Sequence, residues 1–69
     1  EIVTVDKSVM ITTTENEGTI TITDVLGRTI ASKLIESNKT IIDLQQGTYI
    51  VSVITTTGNT VEQVIIKLK

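Results

Sequence analysis

The sequence predicts an all-β fold, a seven-stranded antiparallel sandwich, on three observations. First, 12 Ile, 8 Val and 14 Thr make 34 of the 69 residues β-branched. Such side chains are stiff at χ1 and pack well on a pleated surface. Second, short apolar or alternating segments recur along the whole chain, separated by clusters of Gly, Asn, Asp and Ser. Third, helix formers are scarce, with one Ala and no segment of helical period.

The segments follow in order. Ile2 to Val5 ends at Asp6-Lys7, and Val9 to Thr14 ends at Glu15-Asn16-Glu17-Gly18. Thr19 to Thr23 alternates Ile20 and Ile22 with three Thr, the pattern of a strand with one buried and one wet face. Asp24-Val25-Leu26-Gly27-Arg28 fits a hairpin loop built on a type I turn and a glycine bulge, with Asp24 bonding the backbone two residues on. Two apolar residues at a turn tip predict a loop that folds inward or caps one end of the core. Thr29 to Ile35 has a blurred pattern, which a bulge or a place at the sheet edge would explain. Thr40 to Leu44 closes at Gln45-Gln46-Gly47. Thr48 to Thr56 carries the longest apolar run and is expected at the centre of a sheet, with Tyr49, Val51 and Val53 on one face. Thr57-Gly58-Asn59-Thr60 predicts a two-residue hairpin of type II′, leading into Val61 to Leu68.

Seven short strands joined by turns predict one immunoglobulin-like sandwich over residues 1–69, with a small closed barrel as the alternative. A chain of this length is near the lower limit for a stable core. With no Cys or His, neither disulfides nor a Cys/His zinc site can support it. Tyr49 is the only aromatic residue, two positions after Gly47, so it is expected to bury its ring and return its hydroxyl to the backbone.

Composition also bounds function. A net charge of −2 with mixed signs gives no basic patch or stacking surface for nucleic acid. No apolar run is long enough to insert in a membrane. Without His, a Ser or Thr nucleophile lacks its usual base. Glu15 and Glu17 form the closest carboxylate pair but fall in an expected loop. Asp24 and Asp43 read as a turn cap and an exposed strand position rather than cation ligands. The expectation is a non-enzyme without cofactor or metal.

Three stretches carry a family resemblance: GTITITDVLGR (18–28), IIDLQQGTYIVSV (41–53) and GNTVEQVIIKLK (58–69). In order and spacing they resemble the type A C-terminal sorting domain of the type IX secretion system. Asp24, Gly27 and Arg28 match a D-x-x-G-R turn. Leu44, Gly47, Tyr49 and Val51 match L-x-x-G-x-Y and the run after it. Gly58, Val64, Ile65, Ile66 and Lys67 match the last hairpin and strand. The chain departs from the family in lacking an Asn-Pro stretch ahead of its second strand and in having Gln46 before Gly47. The departures bear on the N-terminal boundary.

The resemblance implies a non-catalytic address label at the C-terminal end of a larger cargo protein in a Bacteroidota-type bacterium. It implies passage through the periplasm and across the outer membrane, then release or attachment at the cell surface. The implied partners are the translocon, shuttle proteins and a sortase that removes the label. The terminal run Ile65-Ile66-Lys67-Leu68-Lys69 could dock on the machinery, or be an ordinary last strand whose lysines blunt aggregation. The DVLGR loop, with Arg28 exposed, is a second candidate contact. A strand-mediated dimer is also compatible with Thr-rich edges. The competing reading is a fibronectin-like spacer or adhesion module, which could be internal to its protein, whereas a sorting domain must end it. A carbohydrate-binding module is a third reading, disfavoured because sugar platforms use exposed aromatics.

Overall fold

The computed structural model describes residues 1–14 and 17–68. Glu15, Asn16 and Lys69 lie outside the described residues, and with them the Glu15–Glu17 carboxylate pair and the last residue of the terminal run. The strands are β1 (Ile2–Val5), β2 (Ser8–Thr12), β3 (Thr19–Asp24), β4 (Thr29–Leu34), β5 (Lys39–Asp43), β6 (Gly47–Ile54) and β7 (Thr60–Leu68). The expected segments agree with them to within two residues at each end.

All pairings are antiparallel. They build a three-stranded sheet, β1-β2-β5, and a four-stranded sheet, β4-β3-β6-β7. The period-2 pattern decides which face turns inward. In β6, Tyr49, Val51 and Val53 are buried while Ile50, Ser52 and Ile54 are partly exposed. Val9 and Ile11 of β2 meet Ile20, Ile22, Val51, Val53, Ile66 and Leu68 of the larger sheet in one core. This is a two-layer arrangement rather than the barrel alternative, since no ladder joins the sheets among the described residues. It is thin, with extents of 31 × 23 × 15 Å.

The blurred pattern of β4 has both of its expected causes. The strand lies at a sheet edge. A bulge also interrupts its ladder with β3: Ile22 faces Ala31 and Thr23 faces Thr29, which leaves Ile30 over. Placement of β6 between β3 and β7 agrees with its long apolar run.

Two expectations are corrected. The β6–β7 connection is not a two-residue type II′ turn. The Gly58 N–H donates to the Thr55 carbonyl at 2.9 Å and the Thr55 N–H to the Asn59 carbonyl at 2.9 Å. Gly58 has φ +89°, and neither Thr56 nor Thr57 has positive φ. The loop is therefore a type I turn closed by a left-handed glycine. Thr55 explains the shift: its hydroxyl accepts the Asn59 N–H at 3.2 Å and pairs with the Thr57 hydroxyl at 2.9 Å. The second correction concerns Val25 and Leu26. They do not fold inward; they are 67% and 76% exposed.

Candidate recognition site

The DVLGR loop is the same device as the Thr55–Asn59 loop, built with stronger partners. The Gly27 N–H donates to the Asp24 carbonyl at 3.0 Å, and the Asp24 N–H to the Arg28 carbonyl at 2.9 Å. The Asp24 carboxylate accepts the backbone N–H groups of Leu26 (2.9 Å) and Arg28 (3.0 Å), and the Arg28 Nε–H at 2.7 Å. Burial opposes ionisation of Asp24. The N–H groups and guanidinium of Arg28, with the Leu26 N–H, more than offset it and hold the carboxyl below its ordinary value of 3.8. Asp24 is thus the turn cap that the sequence indicated. With these five backbone and side-chain bonds formed, the turn presents Val25 and Leu26 to solvent beside the largely exposed Arg28.

The Gly47–Tyr49 corner lies at the same end. Tyr49 is 8% exposed, and its hydroxyl donates to the Gln45 carbonyl at 2.8 Å, closing a loop back over the β5–β6 connection. The ring turns under Gly47: a Cβ on that glycine would lie 3.4 Å from the Tyr49 Oη. Gly47 also has φ +153°, a conformation that side chains disfavour. Gly47 is therefore favoured by its backbone, while a Cβ there would meet the ring at ordinary contact distance. Leu44 packs on the core from the same connection, and its N–H donates to the Lys7 carbonyl at 2.9 Å.

Register carries the arrangement across the sheet. Asp24 of β3 faces Tyr49 of β6, which faces Ile66 of β7; Thr48 faces Lys67, and Gly47 faces Leu68. Asp24, Gly27, Arg28, Leu44, Gly47, Tyr49, Ile66 and Lys67 are thus brought to one end of the sandwich, from three separate stretches of sequence. Val51, Val64 and Ile65 lie at mid-strand, with Val51 paired to Val64. Gly58 does not join them; it closes the loop at the opposite end. Val51, Tyr49 and Ile66 are buried, so their part is to hold the fold, whereas Arg28, Lys67 and Ile65 are exposed.

Sequence reasoning named neither Lys7 nor Ser8 at this end. With Asp43, Leu44, Gln45 and Lys67 they line an open cleft beside the end of β7. The Ser8 hydroxyl donates to Asp43 Oδ1, its cross-strand partner, so this pair is a sheet contact. No cluster of three or more His, Cys, Asp or Glu suited to a metal occurs among the described residues. The register of β2 against β5 would have revealed this cleft, but register is not local information.

The chain is a thin all-β module that gathers a capped loop, the Gly47–Tyr49 corner and a strand terminus at one end. The chain matches the family model of the secretion system C-terminal sorting domain over residues 3–67, and it belongs to that family, the sorting domains of type IX secretion. Its role is that of a sorting signal for the type IX machinery, and the cargo of such a signal is exported to the cell surface or the medium. No curated protein and no solved structure gives a match.

Proposed function

We propose that this domain is a non-catalytic label read as a folded body, at the end where the DVLGR loop, the Gly47–Tyr49 corner and the end of β7 meet. The observation that carries the reading is that convergence. Eight of the twelve residues marked by the family resemblance, distant in sequence, lie at one end of the sandwich. Of these, Tyr49 and Ile66 keep the end in shape, while Val25, Leu26 and Arg28 offer an apolar and cationic tip. Such a tip suits a partner with an apolar pocket rimmed by acceptors. In this reading the cargo transits the periplasm, crosses the outer membrane through the translocon, and loses the label to a surface sortase. The domain itself is the substrate and does no chemistry.

We also infer an immunoglobulin-like relationship for the sandwich. The hydroxyl of Tyr49 returning to Gln45 ahead of β6 is a tyrosine corner in the position that such folds use. Relative to the constant-type order, one edge strand, β4, sits on the other sheet.

The test fuses residues 1–69 to a periplasmic fluorescent reporter in a host with an intact type IX system. The double variant Val25→Ser/Leu26→Ser changes only exposed side chains. It is expected to melt like wild type yet remain in the periplasm, whereas Asn59→Ala, in the loop at the far end, is exported. Export of the tip variant at the wild-type level overturns the placement of the site. Retention of the wild-type fusion, where a known sorting domain is exported, favours the spacer reading.

A further inference from the structure

The two sheets end side by side at β1 and β7. Each is an edge strand of its own sheet, and they approach one another without a ladder between them. A shallow seam runs between them, lined by Ile2, Val3, Thr4, Val64, Ile65 and Ile66, with Lys67 at one end. Thr4 and Lys67 also line the end cleft, so the seam opens into it at that corner. β7 is nine residues long. Its only ladder bulge lies at its start, opposite Val53 and Ile54. From Gln63 to Ile66 it carries no charge, and Ile65 is 70% exposed. Such a strand lacks most of the devices that protect sheet edges; only Lys67 serves that purpose.

We propose that the β1–β7 seam is a binding site for an extended strand of a partner protein, added antiparallel to β7. Two properties fix the occupant. One is hydrogen bonding: β7 is laddered only to β6, and β1 approaches it without a ladder, so an extended segment can pair with its outward backbone groups. The other is charge. Lys67 is the only charged side chain that lines the seam, and it makes no ion pair among the described residues. Beyond the corner, Asp6, Lys7 and Asp43 also line the cleft, with Asp43 held by Ser8; along the seam itself the one cationic point is Lys67. The fitting segment is therefore uncharged, alternates apolar side chains, and carries one acidic residue at its N-terminal end, alongside Lys67. This deepens the sorting reading by giving the chemistry of a partner segment. It is tested by a binding readout that does not depend on export.

The probe is an acetylated, amidated octapeptide with Glu first and Thr and Val alternating after it, titrated into the isotope-labelled 69-residue chain. Amide shifts are expected to change at Ile2 to Thr4 and Val64 to Lys67, with slower exchange at alternate amides of β7. N-methylation of alternate peptide residues is expected to abolish binding in one phase and spare it in the other. Lys67→Gln is expected to weaken the Glu peptide by up to about fivefold, the range of an exposed ion pair, and to leave a Gln-for-Glu peptide unchanged. Shift changes confined to the outer sheet face or the DVLGR loop, or no change at millimolar peptide, overturn the proposal. So does the same set of changes on raising protein concentration alone, which would assign the seam to a second copy. Failure of the wild-type reporter fusion to be exported, with peptide binding intact, would leave this site standing and count against the sorting reading instead.

Discussion

Removal of the Tyr49 hydroxyl isolates one bond at the centre of the candidate site. In Tyr49→Phe the ring keeps its packing, and only the 2.8 Å bond to the Gln45 carbonyl is lost. Gln45 is exposed, so water can satisfy the freed carbonyl, and the loss should lie near the net value of one hydrogen bond, about 1 kcal/mol. For a domain of this size that corresponds to a fall in Tm of about 4–8 °C. Tyr49→Ala removes the ring as well. Aromatic truncations in cores cost about 3–5 kcal/mol. At roughly 0.05–0.15 kcal/mol per residue, a chain of 69 residues has roughly 3–10 kcal/mol in total. The Ala variant should therefore lose about a third of its stability or more, and all of it where the total lies at the low end of that range. Thermal melts by circular dichroism decide the matter. A Phe variant with an unmoved midpoint, or an Ala variant that melts cooperatively near the wild-type temperature, would refute the corner as a support of this end.

Other outcomes follow from the same geometry. Gly47→Ala forces a side chain into an unfavourable φ, so a loss of roughly 1–3 kcal/mol is expected in denaturant melts. That loss should be the same in the Tyr49→Phe background, since the strain lies in the backbone and the ring is at ordinary contact distance. Asp24 has its folded pKa depressed, so its contribution to stability is complete above the unfolded value of 3.8 and is lost as pH falls through the lower folded value. Carboxyl carbon shifts should show Asp24 titrating below its ordinary value of 3.8, and titration at or above that value would contradict the capping network. Ile22→Val deletes one methylene from a fully buried site and should cost about 0.5–1.5 kcal/mol, read from the midpoint of urea unfolding.

The strands were legible because period 2 is a local signal, written in sets such as Ile20–Ile22 and Tyr49–Val51–Val53. The same locality explains Asp24 and Tyr49, whose partners lie within four residues. The Thr55–Asn59 loop differs from the reading because Gly-Asn suggests a turn centred on itself, while the Thr55 hydroxyl and backbone close the turn two residues earlier. Val25 and Leu26 are exposed against expectation because apolar character does not by itself imply burial. A type I turn with a closing glycine points its two central side chains away from the strands. The seam and the end cleft were not legible at all. Both depend on which edges lie side by side, and β1 and β7 sit at opposite ends of the sequence.

The last strand shows why sequence marks and recognition surfaces must be separated. Val64 to Lys69 could be deleted to ask whether the terminal run is read by the machinery. The deletion also removes Ile66 and Leu68 from the core, and each such side chain contributes about 1.5–3 kcal/mol by burial. It further strips the edge ladder from Gly47 to Val51 of β6. The truncated chain should show no cooperative melt, so its failure to be exported would report unfolding as readily as a lost contact. Ile65→Thr is the discriminating change. Its side chain faces solvent on the outer surface, and Thr suits a strand, so the fold should persist. If export falls while the melt is unchanged, the outer edge of β7 is itself read. If export persists, the V-I-I-K run serves through Val64 and Ile66, which hold the end of the sandwich for the DVLGR loop to be read.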